Sequence, residues 1–157
     1  MAVAVLVTLD GEVHDPTVPL LYADELAAVR GDGAFETLLV RGGVVCKLEA
    51  HLDRMAASAA AMDLSEPDRP AWRTAVEIGV RQWNSTSSAD AMLRLVYTRG
   101  RESGGGATAY LTIAPLPERS LLAHRDGVSV ITLDRGLPAQ PADPLPWLLS
   151  GAKTLSY

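Results

Sequence analysis

Four stretches of the chain are dominated by β-branched and other apolar residues, and such runs predict β-strands. They are residues 3–8, 34–41, 91–98 and 109–114. Gly42-Gly43 directly follows the second stretch and predicts a tight turn into a short returning strand at residues 44–46. The strands together predict an antiparallel sheet that contains at least one hairpin.

Two other stretches repeat apolar residues at steps of three and four, which is the spacing of one face of a helix. In the first, residues 48–62, these are Leu48, Leu52, Met55, Ala59 and Met62. His51, Arg54 and Ser58 form a polar stripe along its flank. The second helix is predicted to begin near Asp68-Arg69-Pro70, because an acidic residue and an early proline are helix start signals. The residues predicted to be buried on its face are Trp72, Val76, Val80 and Trp83.

The remaining segments are rich in proline or short. The sequence predicts an extended loop at residues 12–23. It predicts a linker around residues 115–119, because prolines cannot continue a central strand. Residues 128–133 predict one more strand, and residues 136–147, with four prolines, predict a loop.

The order of these elements predicts an α+β fold, a two-layer sandwich of a sheet and two helices. We expect this small domain to cover residues 1–115 and a linker to cover residues 116–121. Residues 122–157 are too few to close a core of their own. They are predicted to begin a second, larger domain that is incomplete in this chain.

Composition narrows the classes of protein that fit. Hydrophobic residues make up 48% of the chain and charged residues 21%, which is typical of a globular protein. The net charge of -5 argues against nucleic-acid binding, and no apolar run is long enough to span a membrane. The first residues lack a basic leader, so we expect a cytoplasmic protein. Cys46 is the single cysteine and the three histidines lack ligand-like spacing, so we expect no metal site.

Lys153 is the first candidate for chemistry. It is one of two lysines in the chain, the other being Lys47, and most of its immediate neighbours are small or apolar. A primary amine in such surroundings is a candidate nucleophile for a Schiff base. Lysines are nevertheless mostly surface residues, so a second motif is needed to support this interpretation.

That second motif lies upstream. The segment from Gly31 to Glu36 reads Gly-Asp-Gly-Ala-Phe-Glu, and it leads through the predicted hairpin to His51-Leu52-Asp53-Arg54. The two patterns, in this order and spacing, resemble those of the fold-type IV (class IV) pyridoxal-phosphate enzymes. Lys153 follows Arg54 by 99 residues, about where that family has its Schiff-base lysine. The resemblance covers essentially the whole chain.

The resemblance implies a cofactor and roles for named residues. It implies that pyridoxal 5'-phosphate is bound covalently by Lys153 and that Arg54 binds its phosphate. Without the resemblance, Arg54 is better read as a solvated helix residue paired with Glu49 or Asp53. The family's partner for the pyridine nitrogen belongs to the second domain, and members usually form homodimers. Tyr157 is left without an assigned role.

The resemblance also implies a small-molecule amine substrate, which in several members carries carboxylates. Arg94, Arg99 and Arg101 are the candidate carboxylate-binding residues. Phe35 is expected beside the substrate, and the alternative is a position in the core. The glycine-rich loop at residues 100–106 is interpreted as a mobile hairpin tip near the substrate.

Among family members, the chain most resembles 4-amino-4-deoxychorismate lyase, which releases pyruvate and p-aminobenzoate. Phenylalanine at Phe35 and the glycine-rich loop after Arg99-Gly100 favour this interpretation. The D-amino-acid aminotransferases have a tyrosine at Phe35 and an Arg-x-His trap where this chain has glycines, and branched-chain aminotransferases differ at Thr37. The alternatives are an amino-acid aminotransferase of either kind, and a non-catalytic dimerisation module.

Overall fold

One antiparallel sheet with helices on one of its faces organises the chain. The computed structural model describes residues 4–133, 149 and 151–156. Within these, the sheet has six strands in the order β2-β1-β6-β5-β3-β4. The strands are β1 (Val5–Thr8), β2 (Val13–His14), β3 (Gly33–Arg41), β4 (Val44–Val45), β5 (Ala91–Thr98) and β6 (Thr108–Pro115). The helices are α1 (Leu26–Arg30), α2 (Leu48–Ala61), α3 (Arg69–Asn84) and α4 (Glu118–Asp126).

The two long pairings of the sheet set which side chains share a face. β3 pairs antiparallel with β5 from Gly33–Thr98 to Val40–Ala91, and β5 pairs with β6 along its whole length. Because side chains alternate along a strand, Leu38 and Val40 lie on one face and are buried, whereas Phe35 and Thr37 lie on the other and are half-buried.

The helices α2 and α3 bury one face of the sheet, which we call the covered face. The core there joins side chains of the four strands β1, β3, β5 and β6 to both helices, and Trp72 and Met55 are fully buried in it. The opposite face, which α2 and α3 leave uncovered, we call the open face. By register it carries Phe35, Thr37, Leu39, Met92, Arg94, Val96, Tyr110 and Thr112. The two-layer α+β prediction is confirmed.

Helix α3 begins where the sequence predicts, at Asp68-Arg69-Pro70. The Asp68 carboxylate accepts a hydrogen bond from the Ala71 amide at 3.0 Å, and Pro70 occupies the first turn. An N-cap of this kind satisfies one of the amides that a helix start leaves unpaired. The predicted helix at residues 48–62 is confirmed as α2, with Met62 as its C-cap.

Helix α1 and strand β2 were not predicted. The five residues of α1 are too few for an apolar period, and the segment is held by tertiary contacts instead. The buried Glu25 carboxylate, just before α1, accepts hydrogen bonds from Thr98 Oγ1 and from Thr108 Oγ1 at 2.8 Å. Strand β2 lies inside the predicted loop 12–23 and pairs with β1 over two residues.

One prediction in the last third of the chain is wrong. Residues 128–133 form no strand, and Val128, Val130, Ile131 and Leu133 are 72–83% exposed. A strand needs a neighbour for its backbone hydrogen bonds, and the described part of the chain offers this segment none. Helix α4 begins at Glu118, with Pro117 as its N-cap, inside the range 116–121 that is predicted to link two domains, and the linker stays a prediction. The predicted loop 136–147 and Tyr157 lie outside the described residues.

None of the helices within the described ranges has the length and apolar character needed to cross a membrane.

Candidate active site

The segment that carries Lys153 lies against the first half of β3. Strand β4 pairs only with the last two residues of β3, so the first half of β3 has an edge that β4 does not cover. Residues 153–155 take that edge: Ala34 bridges Thr154, the Phe35 amide donates to the Lys153 carbonyl at 3.2 Å, and the Leu155 amide donates to the Gly33 carbonyl at 2.8 Å. The chain's last described residues are thus brought beside the Gly-Asp-Gly motif.

The two glycines of that motif make room for this segment. A Cβ on Gly33 would lie 3.0 Å from the Leu155 side chain and 2.9 Å from the Tyr97 carbonyl. At Gly31, where φ is +72°, a Cβ would lie 2.8 Å from Ser156 Oγ. Residues with a side chain would therefore displace the lysine segment at both positions. The motif serves here as a docking slot for backbone.

Asp32, between these glycines, joins the motif to the loop after β5. Its carboxylate accepts hydrogen bonds from Arg99 Nε at 2.9 Å and from Arg30 Nη2 at 3.0 Å. Burial raises the pKa of Asp32, but the hydrogen bonds and charges of the two arginines lower it more, and the net pKa is below the ordinary value. Asp32 is therefore a fixed anion that holds the slot in shape.

Lys153 itself is fixed at its backbone and directed to the open face. Its amide donates a hydrogen bond to Ser58 Oγ on α2 at 2.9 Å, while its carbonyl is bound by β3. Lys153 Nζ lies 3.7 Å from the centroid of the Phe35 ring. An ammonium at this distance is attracted by the electron-rich face of the ring. The structure therefore places the Phe35 ring against Lys153 Nζ, and a contact of Phe35 with the substrate stays a prediction.

Arg54 lies one helical turn before Ser58 on α2 and binds Glu36. Its Nε donates to Glu36 Oε1 at 2.7 Å and its Nη2 to Oε2, so the pair is bidentate. Glu36 is fully buried, whereas about half of the Arg54 side chain is exposed. The alternative partners considered from sequence, Glu49 and Asp53, bind Arg73 and Arg69 instead.

His51 completes this cluster. Its Nδ1 lies 2.7 Å from Glu36 Oε2, and because an ionised carboxylate only accepts, Nδ1 is assigned the proton. Burial raises the pKa of Glu36, but hydrogen bonds from Arg54 and His51 and their charges lower it more, and the net shift is downward. The hydrogen bond to Glu36 raises the pKa of Arg54. The cluster thus holds a permanent cation with its outer edge exposed.

The three arginines predicted to bind carboxylates differ in what they already hold. Arg99 binds Asp32 and the carbonyls of Met62 and Asp63. Arg101 binds Asp24 at 2.8 Å and stacks on the Tyr22 ring at 4.1 Å from its centroid.

Arg94 is the exception. It is exposed on the open face, its guanidinium lies 5.9 Å from the Phe35 centroid, and among the described residues it has no carboxylate partner. The hydrogen-bonding groups of the Arg94 guanidinium are therefore available to a ligand, and they lie on the same face of the sheet as Lys153 Nζ.

A sequence profile of the class IV amino-transferase family matches residues 33–157. The chain belongs to the class IV aminotransferase family. The match includes β3, the Arg54 helix and the Lys153 segment, the three elements that meet in the structure.

Individual relatives of this class IV chain are close. It is 59% identical over 152 residues to the bifunctional aminodeoxychorismate lyase / D-amino acid transaminase of Mycobacterium tuberculosis. It superposes with a TM-score of 0.93 and 58% identity on the pyridoxal-phosphate-bound form of a hypothetical aminotransferase from the same organism, covering 98% of this chain and 54% of that one. A fold IV transaminase from Curtobacterium pusillum gives a TM-score of 0.89 at 36% identity, covering 98% of this chain and 55% of that chain.

The class IV chain spans about half the length of these relatives. The match to the lyase/transaminase covers 97% of this chain but 53% of the relative.

The open face of the class IV chain also has an apolar cavity of about 390 Å³ near Arg94. It lies between the loop after β2 and strand β6, and Thr112 in its wall pairs with Arg94 in the sheet. Its lining residues are Leu6, Pro16, Val18, Pro19, Leu20, Leu21, Tyr110 and Thr112. Burial raises the pKa of the Tyr110 phenol, and so, to a smaller degree, does the negative charge of Glu25. A larger groove of about 760 Å³ lies between α3 and the β3–β4 hairpin and includes none of the predicted site residues.

The glycine-rich loop is anchored more firmly than its composition suggests. Asp24 binds both Arg101 and Ser103 Oγ, the latter at 2.6 Å, and the Asp24 carbonyl accepts from the Glu102 amide at 2.9 Å. Beyond this anchor, residues 104–106 are exposed and all have positive φ. A Cβ added to any of these three glycines would meet no atom within 4 Å, whereas the base of the loop is fixed to the segment before α1.

Sequence reasoning missed what Glu36 and Ser58 contact. A signal was present, because His51, Arg54 and Ser58 recur at steps of three and four and so face one direction from the helix. Which partners they meet required the docked strand, since Glu36 is 18 residues from Arg54 and Lys153 is 95 residues from Ser58.

Proposed function

We propose that this chain is the first part of a pyridoxal-phosphate-dependent 4-amino-4-deoxychorismate lyase. The observation that carries the proposal is the position of Lys153, whose Nζ lies over Phe35 on the open face while its backbone is tied to α2 one turn from Arg54. The name of the relative that is 59% identical includes this activity.

The residues fit the cofactor at both of its ends. Arg54 has an exposed guanidinium edge, and Nη1 makes no hydrogen bond to any described residue. A guanidinium in this state suits a phosphate dianion, and Glu36 keeps it oriented. Lys153 provides the primary amine for covalent attachment. When bound, pyridoxal phosphate supplies an electron sink for the carbon that loses its proton.

The remaining steps are assigned to side chains of this chain. Lys153 Nζ would take the proton from the amine-bearing carbon of the substrate, because its primary amine lies over Phe35 on that face. Arg94 binds a substrate carboxylate. The Arg94 guanidinium lies 5.9 Å from the centroid of the Phe35 ring, and Lys153 Nζ lies 3.7 Å from the same centroid, so one small substrate can place its amine near Lys153 and a carboxylate near Arg94. Loss of pyruvate then leaves an aromatic product.

A second candidate is D-amino acid transamination, which the name of the same relative also includes. It uses the same lysine, and the two reactions diverge in where the proton is returned. Gly104, Gly105 and Gly106 occupy the positions of the Arg-x-His carboxylate trap of the D-amino-acid aminotransferases. If this chain transaminates, other residues must bind the substrate carboxylate. The positions of Lys153 and Arg54 argue against a non-catalytic dimerisation module.

We further propose that residues 122–157 begin a second domain and that the active enzyme is a homodimer. The share of the relatives' length supports the first, and the exposed apolar residues 128–133 fit a segment that pairs with chain outside this sequence.

The test offers purified full-length protein 4-amino-4-deoxychorismate without a keto acid, and separately D- and L-amino acids with 2-oxoglutarate. We expect release of p-aminobenzoate and pyruvate in the first assay, at a rate that Lys153→Ala removes. Exchange of amines that depends on the keto acid, with no p-aminobenzoate formed, would make transamination the function. A colourless protein that sodium borohydride cannot label at Lys153 would leave the dimerisation module.

A further inference from the structure

Ser58 is a hydroxyl in a place where helix α2 otherwise buries apolar side chains. It is 1% exposed, and its neighbours on the buried side of the helix are Met55 and Ala59. A buried hydroxyl is unfavourable unless it has a hydrogen-bond partner. Ser58 Oγ accepts a hydrogen bond from the backbone amide of Lys153 at 2.9 Å, 95 residues along the chain.

The direction of the Lys153 amide explains why a partner is needed there. The docked segment bridges β3 at Thr154, and Lys153 lies at the end of this short ladder. The Lys153 carbonyl and the Leu155 amide are used by β3. The Lys153 amide is not part of these bonds, and Ser58 Oγ accepts it from the side of α2.

Lys153 is therefore held from two elements. Strand β3 holds its carbonyl through the Phe35 amide at 3.2 Å, and α2 holds its amide through Ser58. These contacts fix where the side chain starts, and Nζ lies over the Phe35 ring at 3.7 Å. Without Ser58, the backbone at Lys153 is restrained from the strand side alone and an amide is left unpaired in a part-buried position.

We propose that Ser58 is a positioning residue for Lys153, one that places the amine for reaction with an aldehyde without touching the aldehyde itself. This inference rests on the proposed function. Displacement of a reacting group by about 1 Å costs on the order of 100-fold in rate. We therefore expect loss of Ser58 Oγ to slow covalent capture of pyridoxal phosphate by Lys153 roughly 10- to 100-fold.

The experiment compares two ligands on the full-length apoprotein. Pyridoxal phosphate has an aldehyde that Lys153 can capture, and pyridoxamine phosphate has none, so its affinity reports Arg54 and the remaining contacts without the lysine. For wild type, Ser58→Ala and Ser58→Thr, we measure the rate of borohydride-fixed label at Lys153 by mass spectrometry and the affinity for pyridoxamine phosphate by calorimetry. Ser65→Ala is the matched control, since it removes a serine hydroxyl bonded to Tyr97 elsewhere in the domain.

The expected result is slower labelling in Ser58→Ala, pyridoxamine phosphate affinity within about twofold of wild type, and partial recovery in Ser58→Thr, which retains the hydroxyl. Equal labelling rates in wild type and Ser58→Ala would overturn the inference. A fall in the labelling rate matched by an equal fall in the affinity for pyridoxamine phosphate would overturn it as well. If Ser58→Ala does not fold, Ser58→Cys decides by the same two readouts. Failure of wild type to label at Lys153 would refute the proposed function itself.

Discussion

The covered and open faces of one sheet differ in what their side chains do. On β5, Leu93 and Leu95 point into the core and are fully buried, while Arg94 between them is exposed on the open face. On β3, Glu36 points to the covered side and Phe35 to the open side, where it meets Lys153. Alternation along two strands thus separates the residues that stabilise the fold from those available for chemistry.

Glu36 is the exception that links the faces. It is a carboxylate on the covered side, and it orients Arg54 and His51 at the edge of β3 where residues 153–155 dock. The comparison shows that the candidate site lies at the edge of β3, where this strand contacts the flank of α2 on one side and the open face on the other. Changes on each face should therefore have separable effects.

The largest effect is expected on the open face, from Lys153→Ala. Loss of the amine removes both covalent attachment and proton transfer, so activity of the full-length enzyme should fall on the order of 10⁴-fold or more. The free energy of unfolding should change by less than about 1 kcal/mol, because the half-buried Lys153 side chain lies outside the hydrophobic core. Steady-state kinetics and chemical denaturation measure the two. The control is Lys47→Ala, and a similar loss of activity in that variant would contradict a specific role for Lys153.

The next effect is expected on the covered face, from Leu95→Ala. Removing this fully buried side chain leaves a cavity, and the free energy of unfolding should fall by roughly 2–5 kcal/mol. Thr37→Ala, on the open face and half-buried, should cost less than about 1 kcal/mol. Urea denaturation of both variants checks the difference. Equal losses would show that the open face is packed as tightly as the core.

At the link between the faces, Glu36→Gln should lower the free energy of unfolding at neutral pH by roughly 1.5–3 kcal/mol, because charged hydrogen bonds to Arg54 and His51 are lost. The folded-state pKa of Glu36 lies below the ordinary value of 4.5, so its stabilisation is fully present above that value and is lost as the pH falls through the folded pKa.

Denaturation of wild type and Glu36→Gln between about pH 6 and pH 3 measures this, since linkage confines the effect to that window. The wild type should lose more stability than the variant as the pH falls. Parallel pH profiles would mean that the carboxylate keeps its ordinary pKa.

The smallest effect is expected from Arg94→Gln, again on the open face. Loss of one charged hydrogen bond to a substrate carboxylate should raise KM about tenfold with little change in stability. Arg41→Gln is the matched control. Arg41 is an exposed arginine at the end of β3 away from the Lys153 segment, and its guanidinium pairs with Asp90. An equal rise of KM in both variants would remove Arg94 from the substrate site.

The local elements were largely predictable because each is encoded by neighbours in the chain. The periods of the four strands and of α2 and α3, the glycine turn after β3 and the Asp68 cap all follow from short-range rules. The strand expected at residues 128–133 did not form, because pairing depends on a partner and not on the run itself.

The candidate site divides in the same way. Sequence by itself determined which residue types are present: an amine at Lys153, a guanidinium at Arg54, and two glycines in the Gly-Asp-Gly motif. Only the tertiary structure decided that those glycines admit the lysine segment, that Arg54 binds Glu36, and that Ser58 holds the Lys153 amide. The physical reason is that these contacts join residues far apart in the chain, and their geometry exists only when β3, α2 and the docked segment are packed together.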